Sequence, residues 1–581
     1  MLPAEKPGAC AVRVWVDPEN VVPEVNETNN VREVGILIGA APPGYDKPER
    51  PAEALAPAVH QDIKVEQPDL KPAPQPPAPA PSPAEEPGYH PTDKYSSGGL
   101  YPYFRSDSKY TSWIGVANRS AYKIDITVSF RDAKGKLVDA WKQTLGPFQC
   151  HRFTRASFTG SVNIEGHGEK DAIHSMLEMR ANAGNGVALA EPARPLYEWG
   201  SPWFFQLGVK DEGPAKVRTT LATYNGGETP LDVEYGVGWQ VCNQNQEFVP
   251  TKLVKAKIPS RGLHFLMPYD EIGKPYEREV YVGAMAPAVT PGVYFTGAQF
   301  LETGQDIGLL NYKPNPAMSP VPSSKYAPER YHLYFAGIAY DGLTRTDTIF
   351  IKSNSNTKKT YLYPVHFYDK SGKEFPQTAA TAVKLWTHWD TPQSSGVICP
   401  MKMLASGFEG SVWIETPTAD ERLEAVVRRQ APMKWAALSD VSPGCPGGYN
   451  VIPYVSSKDP NWIYQVILFY PAAIYKKTPA PPQDKPVIFG GPNVEIPPLA
   501  GKEGWIVMRF HQMTGQYVGW MLIKFNPNET QYHTINSLVA QYIKEPFEGS
   551  IEIEPREIVT QLEVRSKNDS CRGFTGNWYG H

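Results

Sequence analysis

The chain has 581 residues, room for three to five domains, and 41% hydrophobic residues, enough to fill their cores. Its charge is close to balanced at −4, which excludes the basic excess of a nucleic-acid binder. It also lacks any apolar run of about 18 residues, so no segment reads as a membrane span. Tyrosine (31), phenylalanine (22), tryptophan (14) and proline (58) are frequent, a composition that favours strands and turns over helices. Cys10, Cys150, Cys242, Cys399, Cys445 and Cys571 are scattered and form no Cys-x-x-Cys pair, which argues against a zinc or haem motif. Cys399 and Cys445 are the candidate disulfide, with isolated buried thiols as the alternative.

The opening stretch, MLPAEKPGAC, lacks the basic start and apolar core of a signal peptide. Residues 11–38 then alternate with period two in two runs, Val12, Val14, Val16 and Val34, Ile36, Ile38. Between the runs lies DPENVVPEVNETNN, rich in turn formers. With Glu24, Asn26, Glu27, Asn29 and Asn30 this stretch resembles the end of a CARDB-type domain, an immunoglobulin-like module of bacterial cell surfaces. The resemblance covers about the last two strands. It implies that residues 1–40 are a strand pair able either to fray or to add to the open sheet of a neighbouring subunit. Residues 41–94 form a linker. From Pro68 to Pro87 nine of twenty residues are proline, which predicts a polyproline II spacer reaching about 60 Å.

From Tyr101 onward a strand pattern returns four times. In its clearest form TSWIGVAN (111–118) leads to a turn, then to the alternating YKIDITVSF (122–130) and a hairpin turn at Asp132 and Gly135. TLGPFQCHRF follows, and then the octet FTGSVNIE (158–165). The octet recurs as FEGSVWIE (408–415), FEGSIEIE (547–554) and, loosely, FTGAQFLE (295–302). The copies start well over a hundred residues apart, the size of a β-sandwich rather than of a solenoid turn. Parity along the strand sets Phe158, Val162 and Ile164 on one face, and likewise Phe408, Val412, Ile414 and Phe547, Ile551, Ile553, with Phe295 in the loose copy. The intervening glycine suits a bulge or a close backbone approach, and the closing Glu165, Glu415 and Glu554 point outward. ADERLEAVVRRQ (419–430) fits either a short helix or a strand.

The order T-x-I-x-V-x-N, alternating strand, D-x-x-G-K turn, Leu/Ile-x-Pro and F-x-G-S-V-x-I-E resembles tandem β-sandwich repeats of large secreted bacterial proteins. The expectation is an all-β chain of four tandem sandwiches at 95–195, 196–320, 321–440 and 441–570, with a tail at 571–581. No P-loop, H-E-x-x-H, G-x-S-x-G or EF-hand pattern appears, so no catalytic, cofactor or metal residue is expected. The stretch LWTHWD is the one candidate ligand contact, where Trp386, His388 and Trp389 suit a sugar ring. The resemblance implies a non-enzymatic extracellular structural protein, a filament, stalk or surface-layer subunit that self-associates into a polymer. A surface adhesin that binds glycans through aromatic-rich edges is the alternative.

Overall fold

The structure, a computed structural model, describes residues 8–15, 31–38, 94–168, 172–184, 186–193, 203–209, 218–239, 252–272, 280–285, 295–302, 307–311, 333–340, 346–353, 365–375, 395–398, 407–414, 423–430, 439–441, 450–471, 504–540, 546–554, 558–567 and 572–574. The chain divides into two compact bodies, Met1–Pro83 and Ala84–His581. In the first, β1 (Gly8–Trp15) and β2 (Val31–Ile38) pair antiparallel, with Val12 opposite Val34 and Cys10 opposite Ile36. That register sets the two alternating runs against one another; Val16 lies outside the described residues.

The second body is all-β, built of antiparallel sheets. Its first eight strands are β3 (Lys94–Ser106), β4 (Tyr110–Asn118), β5 (Ile124–Arg131), β6 (Leu137–Leu145), β7 (Cys150–Thr154), β8 (Phe158–Gly168), β9 (Ile173–Ala181) and β10 (Val187–Ala190). They form two sheets, β3-β8-β5-β6 and β10-β9-β4-β7. Alternation along each strand buries Ile126, Val128, Phe130 and Val162 of one sheet in a common core with Ile114, Val116 and Leu177 of the other.

The next stretch holds β11 (Trp203–Val209), β12 (Arg218–Asn225), β13 (Leu231–Trp239), β14 (Lys252–Ile258), β15 (Leu263–Leu266), the short helix α1 (Pro268–Ile272), β16 (Val280–Met285), β17 (Phe295–Glu302) and β18 (Ile307–Asn311). Its sheets run β11-β16-β13-β14 and β15-β12-β17-β18, the same order position for position. The third stretch has β19 (Leu333–Tyr340), β20 (Thr346–Ser353), β21 (Val365–Asp369), β22 (Ser395–Ile398), β23 (Phe408–Ile414), β24 (Leu423–Gln430) and β25 (Ser439–Val441). Here β21-β23-β19 and β25-β24-β20-β22 repeat the order, joined into one seven-stranded sheet by the pair Tyr340–Thr346. The fourth has β26 (Asn450–Ser456), β27 (Trp462–Phe469), β28 (Gly504–Gln512), β29 (Tyr517–Phe525), β30 (Thr530–Thr534), α2 (Ile535–Leu538), β31 (Glu548–Glu554), β32 (Val559–Ser566) and β33 (Arg572–Phe574), in sheets β26-β31-β28-β29 and β30-β27-β32-β33. Of ADERLEAVVRRQ, the part Leu423–Gln430 is thus a strand, β24, at the place β32 occupies in the fourth stretch.

These four sandwiches do not string out. The last strand of each touches the last strand of the next: β10 lies against β18, β18 against β25, β25 against β33, and β33 against β10. The fourth sandwich therefore returns to the first, and the series closes on itself.

Candidate functional site

The octets build the cores. Phe158, Val162 and Ile164 are buried, as are Phe408, Val412 and Ile414, and Phe547, Ile551 and Ile553. Phe158 packs edge-on against Phe130, Phe408 against Phe367, and Phe547 against Phe510. The glycine clears the adjacent strand: a Cβ on Gly160, Gly410 or Gly549 would stand 2.1, 1.9 or 1.9 Å from a carbonyl oxygen of Arg131, Tyr368 or His511. The serine faces a bulge, because Pro102-Tyr103, Ala336-Gly337 and Pro453-Tyr454 each set two residues against Ser161, Ser411 or Ser550. Glu165 is exposed, Glu415 lies outside the described residues, and Glu554 is described in its backbone alone.

The loose copy is a different strand. Phe295 begins β17, which pairs with β12 as β9 pairs with β4. The strand at the octet's place in the second sandwich is β16, which pairs with β13 and reads VYVGAM. The alternation of apolar residues is common to any half-buried strand, so it cannot identify a position in the topology.

The structure brings together a set of residues that sequence reading treats as mere turns. In the first, third and fourth sandwiches the hairpin that follows β5, β21 or β28 docks on the next sandwich, on the turn before β15, β30 or β7. Leu263 N–H donates to Ala133 C=O at 2.9 Å, Thr530 N–H to Lys370 C=O at 3.1 Å, and Cys150 N–H to Met513 C=O at 3.2 Å. These are the first-to-second, third-to-fourth and fourth-to-first junctions. The two segments of the second-to-third junction lie outside the described residues.

Each half of this contact has a local cause. The Asp132 carboxylate accepts from Lys134 and Lys136 N–H, and Asp369 from Ser371 and Lys373 N–H, which folds the D-x-x-G-K turn. The hairpin glycine takes a positive φ: 81° at Gly135, 83° at Gly372 and, in the fourth sandwich's Gln512–Gln516 turn, 86° at Gly515. A side chain there would be strained, and its Cβ would lie 2.0–2.2 Å from the carbonyl oxygen of Ser260, Pro527 or Pro147 on the receiving turn. The receiving turn carries a left-handed residue, Phe148, Arg261 or Asn528. Behind it the T-x-I-x-V-x-N asparagine locks the loop: Asn118 Nδ2 donates to the carbonyls of Tyr122, Leu145 and Gly146, and Asn225 repeats this with Thr229, Ile258 and Pro259.

The bulge supplies a second contact, and here size is matched across the junction. Tyr454 of the fourth sandwich sits over Gly115 of the first, where a Cβ would meet the Tyr454 Cβ at 2.7 Å. The same bulge position in the third sandwich is Gly337, packed against Ile467 of the fourth, which occupies the strand position of Gly115. In the first sandwich it is Tyr103, stacked on Phe300 of the second at 4.8 Å.

The fourth-to-first junction adds a polar ladder. Arg152 lies 4.0 Å from the Trp113 ring centre and 4.7 Å from Tyr454, and Arg180 lies 4.7 Å from Trp113 and 4.5 Å from Trp462. Arg180 donates to Glu178 and to Asp459, both at 2.6 Å, and to Tyr464 Oη at 3.0 Å. Tyr464 Oη donates to Glu178 Oε2 at 2.9 Å, while Tyr454 Oη accepts from Arg152 and donates to Glu548. Glu178 is wholly buried, so its charge depends on these partners. Burial disfavours the Arg180 charge, but Glu178, Tyr464 and Asp459 outweigh it and hold its pKa above the usual range. Burial, reinforced by Glu178, raises the Tyr464 hydroxyl well above the usual tyrosine value, so it stays a donor. Burial also pushes the Cys150 thiol up to about 12.

Trp386, His388 and Trp389 lie outside the described residues, as do Cys399 and Cys445. Among the described residues no group of three His, Cys, Asp or Glu side chains is placed to hold a metal ion, and no helix is long and apolar enough to cross a membrane.

No protein-family model matches the chain, and no curated protein does. Among solved structures it is similar to an α-L-rhamnosidase of Streptomyces avermitilis complexed with L-rhamnose. The identity is 9%, the match covers 82% of this chain and 58% of that one, and the TM-score is 0.13. A likeness at that level carries no argument about fold or activity.

Proposed function

We propose that this chain is a non-enzymatic structural protein of the bacterial cell exterior. Four copies of one sandwich form a closed block, and the block assembles with further copies through β-strand contacts. One observation carries the reading: the same backbone contact, hairpin on turn, recurs at three junctions, including the one that no linker bridges. The recurring motif residues are accounted for by core packing and by this contact. The resemblance to CARDB-type and secreted repeat sequences supports the cell exterior as the location. The strand pair β1–β2 is the assembly candidate, with the proline spacer setting its reach. The strands β6, β14 and β29 stand at sheet edges where a further strand can pair. Electron microscopy of the purified chain tests this: ordered polymers are expected, and deleting residues 1–66 abolishes them while the sandwiches stay folded. Polymers that form unchanged without that segment would rule out its role.

A second reading, a glycan-binding adhesin, is favoured by Trp520, which is 40% exposed on the edge strand β29. Binding on a glycan array that Trp520→Ala removes would support it; uniform lack of binding would reject it.

A further inference from the structure

The fourth-to-first junction differs from its neighbours in connectivity: its two halves are joined only through space. The hairpin at Met513 and Gly515 reaches residues 147–150 of a sandwich that lies at the other end of the body in sequence. The surfaces that meet are different on the two sides, a knob and hairpin on the fourth sandwich and a hole and turn on the first. Such a contact is heterologous. It closes a ring when both halves come from one chain, and it runs head to tail when they come from two.

We propose that this junction also closes between chains, so that the fourth sandwich of one copy docks on the first sandwich of another. The partner is a second copy of this chain, and its docking surface is the face bearing Trp113, Gly115, Arg152, Glu178 and Arg180. Three observations carry this. The face is built for one occupant, since buried Glu178 needs Arg180 and Tyr464, and Tyr464 comes from the fourth sandwich. The occupant's key residue, Tyr454, matches Gly115 in size. Finally, the backbone contact equals that of the two linker-bridged junctions, so nothing in it depends on both halves sharing a chain. Opening one ring exposes one of each surface, and two opened chains satisfy both by exchange. This rests on the structural reading above and supplies a chain-to-chain contact separate from β1–β2.

The natural pair Gly337–Ile467 supplies the test. Variant one, Gly115→Ile, fills the hole. Variant two, Tyr454→Gly, removes the knob. Neither closes its own ring well. Mixed one to one, however, the two variants complement each other. The isoleucine that fills the hole of variant one meets the glycine that replaces the knob of variant two, as Ile467 meets Gly337. At the other contact the unchanged Gly115 of variant two meets the unchanged Tyr454 of variant one, as in the native chain. The expected result by light scattering is that each variant alone is a monomer and the warmed mixture shifts to a dimer of twice the mass. The double variant Gly115→Ile/Tyr454→Gly should remain a monomer that melts near the parent temperature. A mixture that stays monomeric while circular dichroism shows both variants folded would overturn the proposal. If Gly115→Ile does not fold, Gly115→Ala carries the same mixing test with the same two outcomes. Loss of polymers on deleting residues 1–66 bears on the structural reading alone, so the two ideas fail separately.

Discussion

The third-to-fourth and fourth-to-first junctions share a backbone contact and differ in almost every side chain around it. At the first, Gly337 lies on Ile467, and the surrounding cluster of Tyr334, Ile338, Phe469 and Val559 is mostly apolar. At the second, Tyr454 lies on Gly115 beside two arginines, Arg152 and Arg180, stacked between aromatic rings. The difference separates two jobs. A hairpin glycine at positive φ and a left-handed turn residue set how two sandwiches sit. The bulge residue and the strand residue beneath it decide which sandwich sits there.

Arg180→Ala should break the fourth-to-first junction most severely. It leaves Glu178 fully buried without its cation, a cost of about 3–5 kcal/mol. Chemical denaturation should show the loss, and the third-to-fourth junction should be unaffected, as hydrogen exchange in β19 and β23 of the third sandwich would report.

Gly337→Tyr gives the third sandwich the knob of the fourth without the hole. The new side chain would enter at a positive φ, with Ile467 Cδ1 3.0 Å from its Cβ. Overpacking of this kind costs about 1–3 kcal/mol, before the backbone strain. Pairing it with Ile467→Gly should recover part of the stability, whereas Gly115→Ile in the same chain should recover none. Equal rescue by both would show that the size match carries no address.

His533 sharpens the comparison by pH, since its strand, β30, presents Tyr532 to the third sandwich. Burial lowers its pKa to about 4 from the ordinary 6.5. The folded state thus binds fewer protons than the unfolded state between these values, and stability rises with pH across that window. The contribution is whole above pH 6.5 and is lost as pH falls toward 4. It amounts to about 2 kcal/mol after allowance for partial exposure. His533→Gln should flatten that limb of the stability profile.

Much of the fold was legible because its signals are local. Alternation along 158–164, 408–414 and 547–553 placed Phe, Val and Ile toward a core, and the D-x-x-G-K turns announced hairpins. The loose copy at Phe295 misled because alternation marks a strand without marking its place; β16, the true counterpart, has Val282 where β8 has Val162, and no Phe-x-Gly before it. The junctions were not legible for a different reason. Their receiving turns read Pro147-Phe148, Ser260-Arg261 and Pro527-Asn528, alike in backbone conformation and unlike in side chain. A contact made by N–H and C=O groups leaves little trace in residue identity. The repeated Pro-Tyr of residues 102–103 and 453–454 was the available clue, and only the bulge opposite the octet serine gives it meaning.

The central claim is that the fourth sandwich returns to the first. Cys150 Sγ lies 3.2 Å from Met513 Sδ across that junction. The direct measurement is therefore Met513→Cys, mild oxidation, and peptide mass spectrometry of the monomeric fraction. The closed arrangement predicts a disulfide within one chain between Cys150 and the cysteine introduced by Met513→Cys. It should form in high yield and be absent when Arg180→Ala is added. A folded, oxidised monomer with both thiols still free would contradict it.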